Sequence, residues 1–165
     1  LHQMTARVDR GEDFTPPPPW DVDVKAYRDL LAAASVTICP EWIERTCVIP
    51  DLNLAGTFDR IVEVRDRLWI ADLKTGRDLS YSWGEIAIQL ACYAHASHIW
   101  DWETNALWAM PEVDRRRGLI IHLPVGKGTA SLHVVDLEAG WEAATQAAWV
   151  RDWRARKDLS RVVNV

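Results

Sequence analysis

Hydrophobic residues recur along the chain with two different periods, and these periods predict where helices and strands lie. Between residues 22 and 34 the apolar positions recur every three or four residues, which predicts a helix. Three later segments are rich in β-branched and aromatic residues and predict strands: residues 42–49, 54–64 and 68–74. The dipeptide Pro50-Asp51 is typical of a turn between the first two strands.

The second half of the chain continues the alternation of helices and strands. Residues 82–100 predict a helix, with Ser82 as its N-cap and Glu85 completing a capping box. Asp136 is expected to cap a final helix that runs to about Lys157. One face of that helix is expected to carry Trp141, Ala144, Ala148 and Trp153. Proline and glycine separate three short predicted strands: residues 106–110, 119–123 and 132–135.

The amino-terminal segment has a different character from the rest of the chain. Residues 1–10 have the pattern of the end of a helix, and residues 11–20 contain four consecutive prolines, which predict an extended, rigid connector. The chain begins at Leu1 and not at methionine, so an upstream portion is expected to be missing. With 165 residues, of which 48% are hydrophobic, we predict one domain over residues 1–165. The ten tryptophans are expected mainly in its core.

Charge and cysteine content narrow the possible functions. A net charge of −5 argues against a protein that coats nucleic acid through an overall positive field, but it leaves a local site possible. Cys39, Cys47 and Cys92 lack CxxC spacing, so we expect neither a disulfide framework nor a zinc or iron–sulfur site. This cysteine usage fits a reducing cytoplasm. No apolar run approaches the roughly 18 residues of a membrane span, so no membrane partner is expected.

Two acidic residues are predicted to face each other across a hairpin. If its turn is centred between Arg65 and Asp66, the same register places Asp59 opposite Asp72. Directly opposed residues of neighbouring strands have Cβ atoms about 4.5–5.5 Å apart, and like charges so placed repel. The pair is therefore expected to hold a cation. Arg60, next to Asp59, is expected to be an exposed strand arginine in an ion pair, with a phosphate contact as the alternative.

A lysine joins the two carboxylates in this predicted arrangement. Side chains alternate along a strand, so Asp72 and Lys74 share one face, while the Leu73 side chain points into the core. Hard oxygen ligands favour Mg²⁺ or Mn²⁺, and the main-chain carbonyl of Leu73 is a further candidate ligand. Lys74 beside such a metal is suited to orient or deprotonate a water and to stabilise charge on phosphorus. The pattern predicts phosphodiester hydrolysis, at a site on the sheet's edge.

These residues resemble a known family, the PD-(D/E)XK nucleases, and within it the RecB-like exonucleases that occur in recombination complexes and in phages. The resemblance covers about residues 42–96. Its motifs are a glycine-led strand that ends in an aspartate, an acid-x-lysine-Thr-Gly segment, and a Gln-x-x-x-Tyr helix. They correspond here to Gly56 to Asp59, Asp72-Leu73-Lys74-Thr75-Gly76, and Gln89 to Tyr93. The resemblance implies an α/β fold with a restriction-endonuclease-like core, in which a mixed central sheet is flanked by helices.

The resemblance also implies roles for individual residues. Asp59, Asp72 and Lys74 would be catalytic, while Gln89, Tyr93 and Thr75 would support the site or contact DNA. Many RecB-like members have a further histidine and a further acid upstream. His2 is the candidate for the histidine, although Ala6 stands where the family often has an acid. Glu44, or else Glu41, is the candidate for the missing acid, and the alternative is that both are ordinary surface strand residues.

The expected function is that of a Mg²⁺- or Mn²⁺-dependent deoxyribonuclease, more readily an exonuclease than an endonuclease. Its setting by resemblance is DNA recombination or repair in a bacterial or phage-infected cell. DNA is the expected substrate, with a recombinase or a helicase as a further partner. The alternative is a catalytically inactive nuclease fold that binds DNA or scaffolds a recombination complex, which the negative net charge favours slightly.

Overall fold

A mixed sheet forms the centre of the computed structural model, which describes residues 1–162. Its strand order is β5-β4-β1-β2-β3-β6-β7, in which β3 and β6 are parallel and the other neighbours are antiparallel. The strands are β1 (Val36–Ile49), β2 (Leu54–Val64), β3 (Arg67–Lys74), β4 (His98–Asp101), β5 (Ala106–Ala109), β6 (Arg117–His122) and β7 (Ser131–Asp136). The helices are α1 (His2–Asp9), α2 (Asp21–Ala34), α3 (Trp83–Ala94) and α4 (Leu137–Arg154), with a short 3-10 turn at Pro50–Leu52. The predicted mixed sheet flanked by helices is confirmed.

The two faces of the sheet have separate hydrophobic cores because successive strand residues point to opposite sides. On one face, Ile61 and Ile70 pack with Leu90 of α3. On the other face, Val62 and Leu73 pack with Tyr27 of α2. The Leu73 side chain is fully buried, as predicted. The sheet is therefore a middle layer, with α3 and α4 on one side and α2 on the other.

Helices α3 and α4 approach each other unusually closely. A Cβ atom at Gly140 would lie 2.2 Å from the main-chain oxygen of Ala87, so only glycine fits at this crossing. Beside it the His95 ring stacks on the Trp141 ring, with centroids 3.9 Å apart. Partial burial lowers the pKa of His95, because loss of hydration disfavours the charged imidazolium. These contacts fix α3, the helix that carries the predicted Gln89 and Tyr93.

Most predicted elements are confirmed, with one error in a helix. The predicted helix over residues 82–100 ends at Ala94, and its last part is instead β4, which pairs with β1. Ser82 does occupy the N-cap position of α3, but its side chain makes no capping hydrogen bond, so the predicted capping box is wrong. The predicted cap of α4 is confirmed, since the Asp136 side chain accepts hydrogen bonds from the amides of Glu138 and Ala139.

The tryptophans and the outer segments differ from expectation in part. All ten tryptophans lie within residues 1–162, yet Trp69 alone is buried and five are exposed, so the prediction that most of them fill the core is wrong. Trp153, predicted on the inner face of α4, is one of the exposed ones. The three cysteines are free in this part of the chain. None of the helices within these residues is both long enough and apolar enough to cross a membrane.

The acidic hairpin lies inside the sheet. Strand β2 pairs with β1 as well as with β3, and β3 pairs with β6 as well as with β2. The prediction that the site lies on the sheet's edge is therefore wrong. The physical reason is that β6 returns to β3 from more than 40 residues downstream, and no local pattern marks such long-range pairing. The carboxylates lie instead where the β2–β3 pairing ends.

Candidate active site

The β2–β3 hairpin sets the positions of the two candidate carboxylates. Its ladder runs from the pair Val64↔Arg67 to the pair Arg60↔Ala71, which is the predicted register. One further step of the same register brings Asp59 opposite Asp72. Here the side chain of Asp59 replaces a main-chain partner, since its Oδ2 accepts a 2.9 Å hydrogen bond from the amide of Leu73. The ladder thus ends in a small recess lined by the carboxylates of Asp59 and Asp72, which we call the notch.

Asp72 is a buried carboxylate whose charge is incompletely compensated. Its side chain is 5% exposed, and Lys74 Nζ lies 2.8 Å from its Oδ2. Apart from this ion-pair contact, Oδ2 has no hydrogen-bond partner within residues 1–162. Burial, followed by the charge of Asp59, raises the pKa of Asp72, and the nearby ammonium of Lys74 opposes this shift. The notch therefore holds a carboxylate for which a second cation would be favourable.

Asp59 has the opposite electrostatic character. Burial alone would raise its pKa, but the contact with His2, the hydrogen bond from the Leu73 amide and the charge of Arg60 outweigh burial, so the pKa is lowered. The His2 Nδ1 atom lies 3.3 Å from Asp59 Oδ2. The structure thus brings His2, at the start of α1, to the carboxylate with which sequence analysis associated it only by resemblance.

Lys74 is held from the side of α3 by a chain of hydrogen bonds. Its Nζ donates to Gln89 Oε1 at 3.1 Å, and Gln89 Nε2 donates to the Tyr93 hydroxyl at 3.2 Å. The Tyr93 ring lies against β2 at Gly56, where a Cβ atom would come within 2.9 Å of Tyr93 Cε1. The glycine at the head of the motif is thereby explained, because a larger residue would displace the tyrosine that ends this chain.

Three other candidates lie further from the carboxylates or contact other groups. Glu44 has a left-handed φ of 53°, and its carboxylate pairs with Arg10 at 3.1 Å. Glu41 is exposed in the part of β1 where the pairing with β2 is interrupted. Thr75 directly follows β3, and its main-chain oxygen accepts a hydrogen bond from Val125 at 3.4 Å. The structure therefore gathers Asp59, Asp72, Lys74, Gln89, Tyr93 and His2 and leaves both glutamates outside this group.

Comparison with known families places this geometry in context. A family model of the PD-(D/E)XK nuclease superfamily matches residues 19–102, about half of the chain. The chain belongs to the PD-(D/E)XK nuclease superfamily. Its mixed sheet flanked by helices is consistent with the restriction-endonuclease-like fold. The matched segment contains Asp59, Asp72, Lys74 and both α3 residues, while His2 lies before it. No curated protein matches the chain.

PD-(D/E)XK nucleases generally use divalent metal ions, and the donor set here fits one in part. Two neighbouring carboxylates, one of them with a buried oxygen that contacts only the Lys74 ammonium within residues 1–162, are hard ligands of the kind that Mg²⁺ and Mn²⁺ prefer. Over residues 1–162, however, no three His, Cys, Asp or Glu side chains come together as a metal-binding group. A cation between Asp59 and Asp72 would need the Leu73 carbonyl, water or substrate phosphate as further ligands, and Mg²⁺ commonly keeps several waters.

Arg60 differs most from what its position suggested in sequence. It was expected to be exposed, but it is 1% exposed and forms an ion pair with Asp9 at 2.7 Å, so the expectation of an exposed arginine is wrong. Tyr27 donates a hydrogen bond to the same carboxylate. Neither Asp9 nor Tyr27 was singled out in sequence, because the only signal was a tyrosine on the apolar face of the predicted helix. These three residues lie on the α2 side of the sheet, directly behind the notch.

Proposed function

We propose that this PD-(D/E)XK protein is a metal-dependent deoxyribonuclease in which Asp59, Asp72 and Lys74 carry out phosphodiester hydrolysis. The observation that supports the proposal best is the convergence of two carboxylates and one ammonium at the end of the β2–β3 ladder. Structural charge pairs commonly satisfy one another, but here the buried Oδ2 of Asp72 contacts only the Lys74 ammonium within residues 1–162, and the pKa of Asp72 is still raised. Groups with perturbed pKa values of this kind cluster at functional sites.

Each residue of the site would have a separate role in the proposed reaction. Asp59 and Asp72, with the Leu73 carbonyl, would hold Mg²⁺ or Mn²⁺, which when bound supplies Lewis-acid activation of the phosphodiester. Lys74 would orient the attacking water and stabilise negative charge that develops on the phosphoryl oxygens. Its ammonium is held from two sides, by Asp72 and by Gln89, so little reorganisation is needed when charge develops. Tyr93 would support Gln89 through their hydrogen bond, and Thr75, directly after β3, would contact the DNA backbone.

More specifically, we propose that the protein acts as an exonuclease in DNA recombination or repair. It rests on the resemblance of the Asp72-Leu73-Lys74-Thr75-Gly76 and Gln89…Tyr93 motifs to RecB-like, phage-type exonucleases. A recombinase or helicase partner and a cytoplasmic setting in a bacterial or phage-infected cell belong to the same assignment. An exonuclease requires a DNA end, so a covalently closed circle is the substrate that separates it from an endonuclease.

A second candidate function is a nuclease fold that binds DNA or scaffolds a complex without cutting. Two observations favour it. Within the described part of the chain no three metal-binding side chains converge, and Ala6 stands where RecB-like enzymes often have an acid. The two functions differ in one property that is simple to measure, namely whether DNA is shortened when a divalent cation is supplied.

The test is cleavage of linear and closed circular DNA with Mn²⁺ or Mg²⁺, with EDTA as the metal-free control. We expect linear DNA to be degraded and the circle to survive. Lys74→Ala should lower the rate on the order of a hundredfold or more, as removal of one electrostatic stabiliser of a transition state does. Lys25→Ala is the matched control, because Lys25 is exposed and forms an ion pair with its helix neighbour Asp29, away from the proposed site. Undiminished metal-dependent cleavage by Lys74→Ala would reject the assignment, and absence of cleavage by the unmodified protein would favour the scaffolding function.

A further inference from the structure

Helix α1 has few means of staying in place by itself. It has only eight residues, and isolated helices shorter than about 12–15 residues are marginal in water. Ala6 is its only buried apolar residue, and the proline-containing connector separates it from α2. Yet this helix begins with His2, whose Nδ1 lies 3.3 Å from Asp59. Some tertiary contact must therefore fix α1 if His2 is to stay at the notch.

The contact is a buried charge cluster at the other end of the helix. Asp9 and Arg60 form an ion pair at 2.7 Å, and their side chains are 3% and 2% exposed. The Tyr27 hydroxyl donates to Asp9 at 2.8 Å and accepts from Arg60 Nη1 at 2.5 Å. Arg60 Nη2 reaches the Thr5 hydroxyl at 3.4 Å. One arginine of β2 thus binds two residues of α1 and one of α2.

Chain connectivity makes this cluster and the notch a single unit. Asp59 and Arg60 are consecutive residues of β2, so their side chains leave the strand in different directions. Asp59 contacts His2 at the start of α1, while Arg60 contacts Asp9 at its end. The two contacts are seven residues, or about 10 Å, apart along the helix. Because α1 contacts β2 near both of its ends, its position relative to β2 is defined.

We infer that the buried Asp9–Arg60–Tyr27 cluster is a positioning device that holds α1 so that His2 stands beside Asp59. That the cluster positions His2 does not depend on the proposed function. Only the use of this position rests on it, namely that His2 completes the surroundings of the metal site formed by Asp59 and Asp72. Asp9, Arg60 and Tyr27 are positioning residues and do not themselves touch substrate.

The use of charge at this place supports a geometric role. A buried ion pair contributes little net stability compared with well-packed apolar residues of similar volume, because both charges lose their hydration. Burial alone would lower the pKa of Arg60, but Tyr27 and Asp9 together raise it, so the guanidinium stays charged. What the pair provides beyond packing is direction, since a guanidinium binds its acceptors only in fixed geometry.

Two variants and one control separate positioning from general stability. Asp9→Asn keeps the shape of the side chain and removes its charge. The double variant Asp9→Leu/Arg60→Met replaces the pair by apolar residues and should keep α1 packed. Glu12→Gln is the matched control, because it removes a carboxylate from the exposed Arg7–Glu12 pair that also involves α1. Each is compared with the unmodified protein and with His2→Ala.

Two readouts are needed, one of them without metal. In the metal-free protein, amide hydrogen exchange over residues 3–9 and nuclear Overhauser contacts between the His2 ring and Asp59, which it contacts, report the position of α1. Mn²⁺ titration calorimetry reports the metal affinity of the notch. Loss of a group that orients a metal ligand typically costs about 10- to 100-fold in affinity.

We expect Asp9→Asn to speed exchange in α1, to remove the His2 contacts, and to weaken Mn²⁺ binding about tenfold, as His2→Ala does. Combined with His2→Ala it should add nothing further, because both act through the same group. The apolar double variant should keep α1 protected from exchange but should not restore the His2 contacts or the Mn²⁺ affinity, because it keeps the packing and loses the direction that the ion pair provides, and Glu12→Gln should change neither readout. The inference would be overturned if Asp9→Asn left the His2 contacts unchanged. It would also be overturned if the losses of Mn²⁺ affinity in Asp9→Asn and His2→Ala added up in the variant that combines them. If the unmodified protein binds no Mn²⁺, the proposed function fails, whereas the metal-free readouts still decide whether the cluster positions His2.

Discussion

Asp72→Asn should make the metal-free protein more stable while it abolishes cleavage. The substitution keeps the shape of a side chain that is 5% exposed and removes its charge. Burial and the charge of Asp59 raise the pKa of Asp72, so its negative charge costs the folded state stability relative to the unfolded state. The functional site is thus expected to cost stability, which is a common trade-off in enzymes.

The size of the effect is the balance of three contributions. Carboxylates on opposed residues with Cβ atoms roughly 5.5 Å apart repel by about 3 kcal/mol at an effective dielectric constant of 20. At the same dielectric constant Lys74, 2.8 Å from Asp72 Oδ2, attracts that carboxylate by about 6 kcal/mol, so burial, the largest cause of the raised pKa of Asp72, must more than make up the difference. We therefore expect a net gain of about 1 kcal/mol for Asp72→Asn, which corresponds to a rise in Tm of about 2–4 °C for a chain of this size.

The assay is thermal unfolding in EDTA and again with Mn²⁺. The unmodified protein should gain about 2.7 kcal/mol of apparent stability when Mn²⁺ is present at about one hundred times its Kd, and Asp72→Asn should gain much less. The stability gap between the two proteins in EDTA should shrink as the pH falls through the raised folded-state pKa of Asp72. Below the ordinary aspartate pKa of 3.8 it should be closed, since Asp72 is then protonated in both the folded and the unfolded state.

Asp13→Asn serves as the control, because Asp13 is an exposed carboxylate of the connector. Its Tm in EDTA and its response to Mn²⁺ should match those of the unmodified protein. The reasoning is refuted if Asp72→Asn is less stable than the unmodified protein in EDTA, or if it keeps the full Mn²⁺ response.

Three further predictions concern the elements that support the site. Gly140→Ala should lower Tm by about 4–8 °C, because overpacking against the Ala87 carbonyl costs about 2 kcal/mol. A higher Tm would contradict the close crossing of α3 and α4. Gly56→Ala should displace Tyr93 and lower the cleavage rate about tenfold, and an unchanged rate would remove Tyr93 from the supporting chain. The folded-state pKa of His95 is lowered, so its contribution to the free energy of unfolding is complete above pH 6.5 and is lost on acidification. His95→Phe should therefore flatten the pH dependence of the free energy of unfolding, measured with denaturant between pH 7 and 5. An unchanged pH dependence would argue against burial of the neutral ring.

The hairpin was predictable because its geometry is local. A two-residue turn whose residues both have left-handed φ matches the twist of the flanking strands. Arg65 and Asp66 have φ values of 49° and 60°, although neither is glycine. Once that turn is placed, strand pairing carries the register back toward Asp59 and Asp72, and side-chain alternation adds Lys74. Residues close in sequence therefore defined most of the candidate site.

The errors have a common physical origin in contacts between distant parts of the chain. The segment His98–Asp101 continues an apolar pattern that suits a helix, but it pairs with β1, some 50 residues upstream, and becomes a strand. Arg60 was expected at the surface because a buried guanidinium is costly without a partner. Its partner, Asp9, lies 51 residues away on α1. Only the folded chain shows that these groups meet.

The most direct test of the account is a crystal structure of the protein with Mn²⁺, measured at a wavelength where manganese scatters anomalously. The account predicts a single strong anomalous peak in the notch, within about 2.2 Å of one oxygen from each of Asp59 and Asp72. The peak should vanish in Asp72→Asn crystals grown in the same way. A peak elsewhere, or none at saturating Mn²⁺, would contradict the claim that these two carboxylates form the metal site of a nuclease.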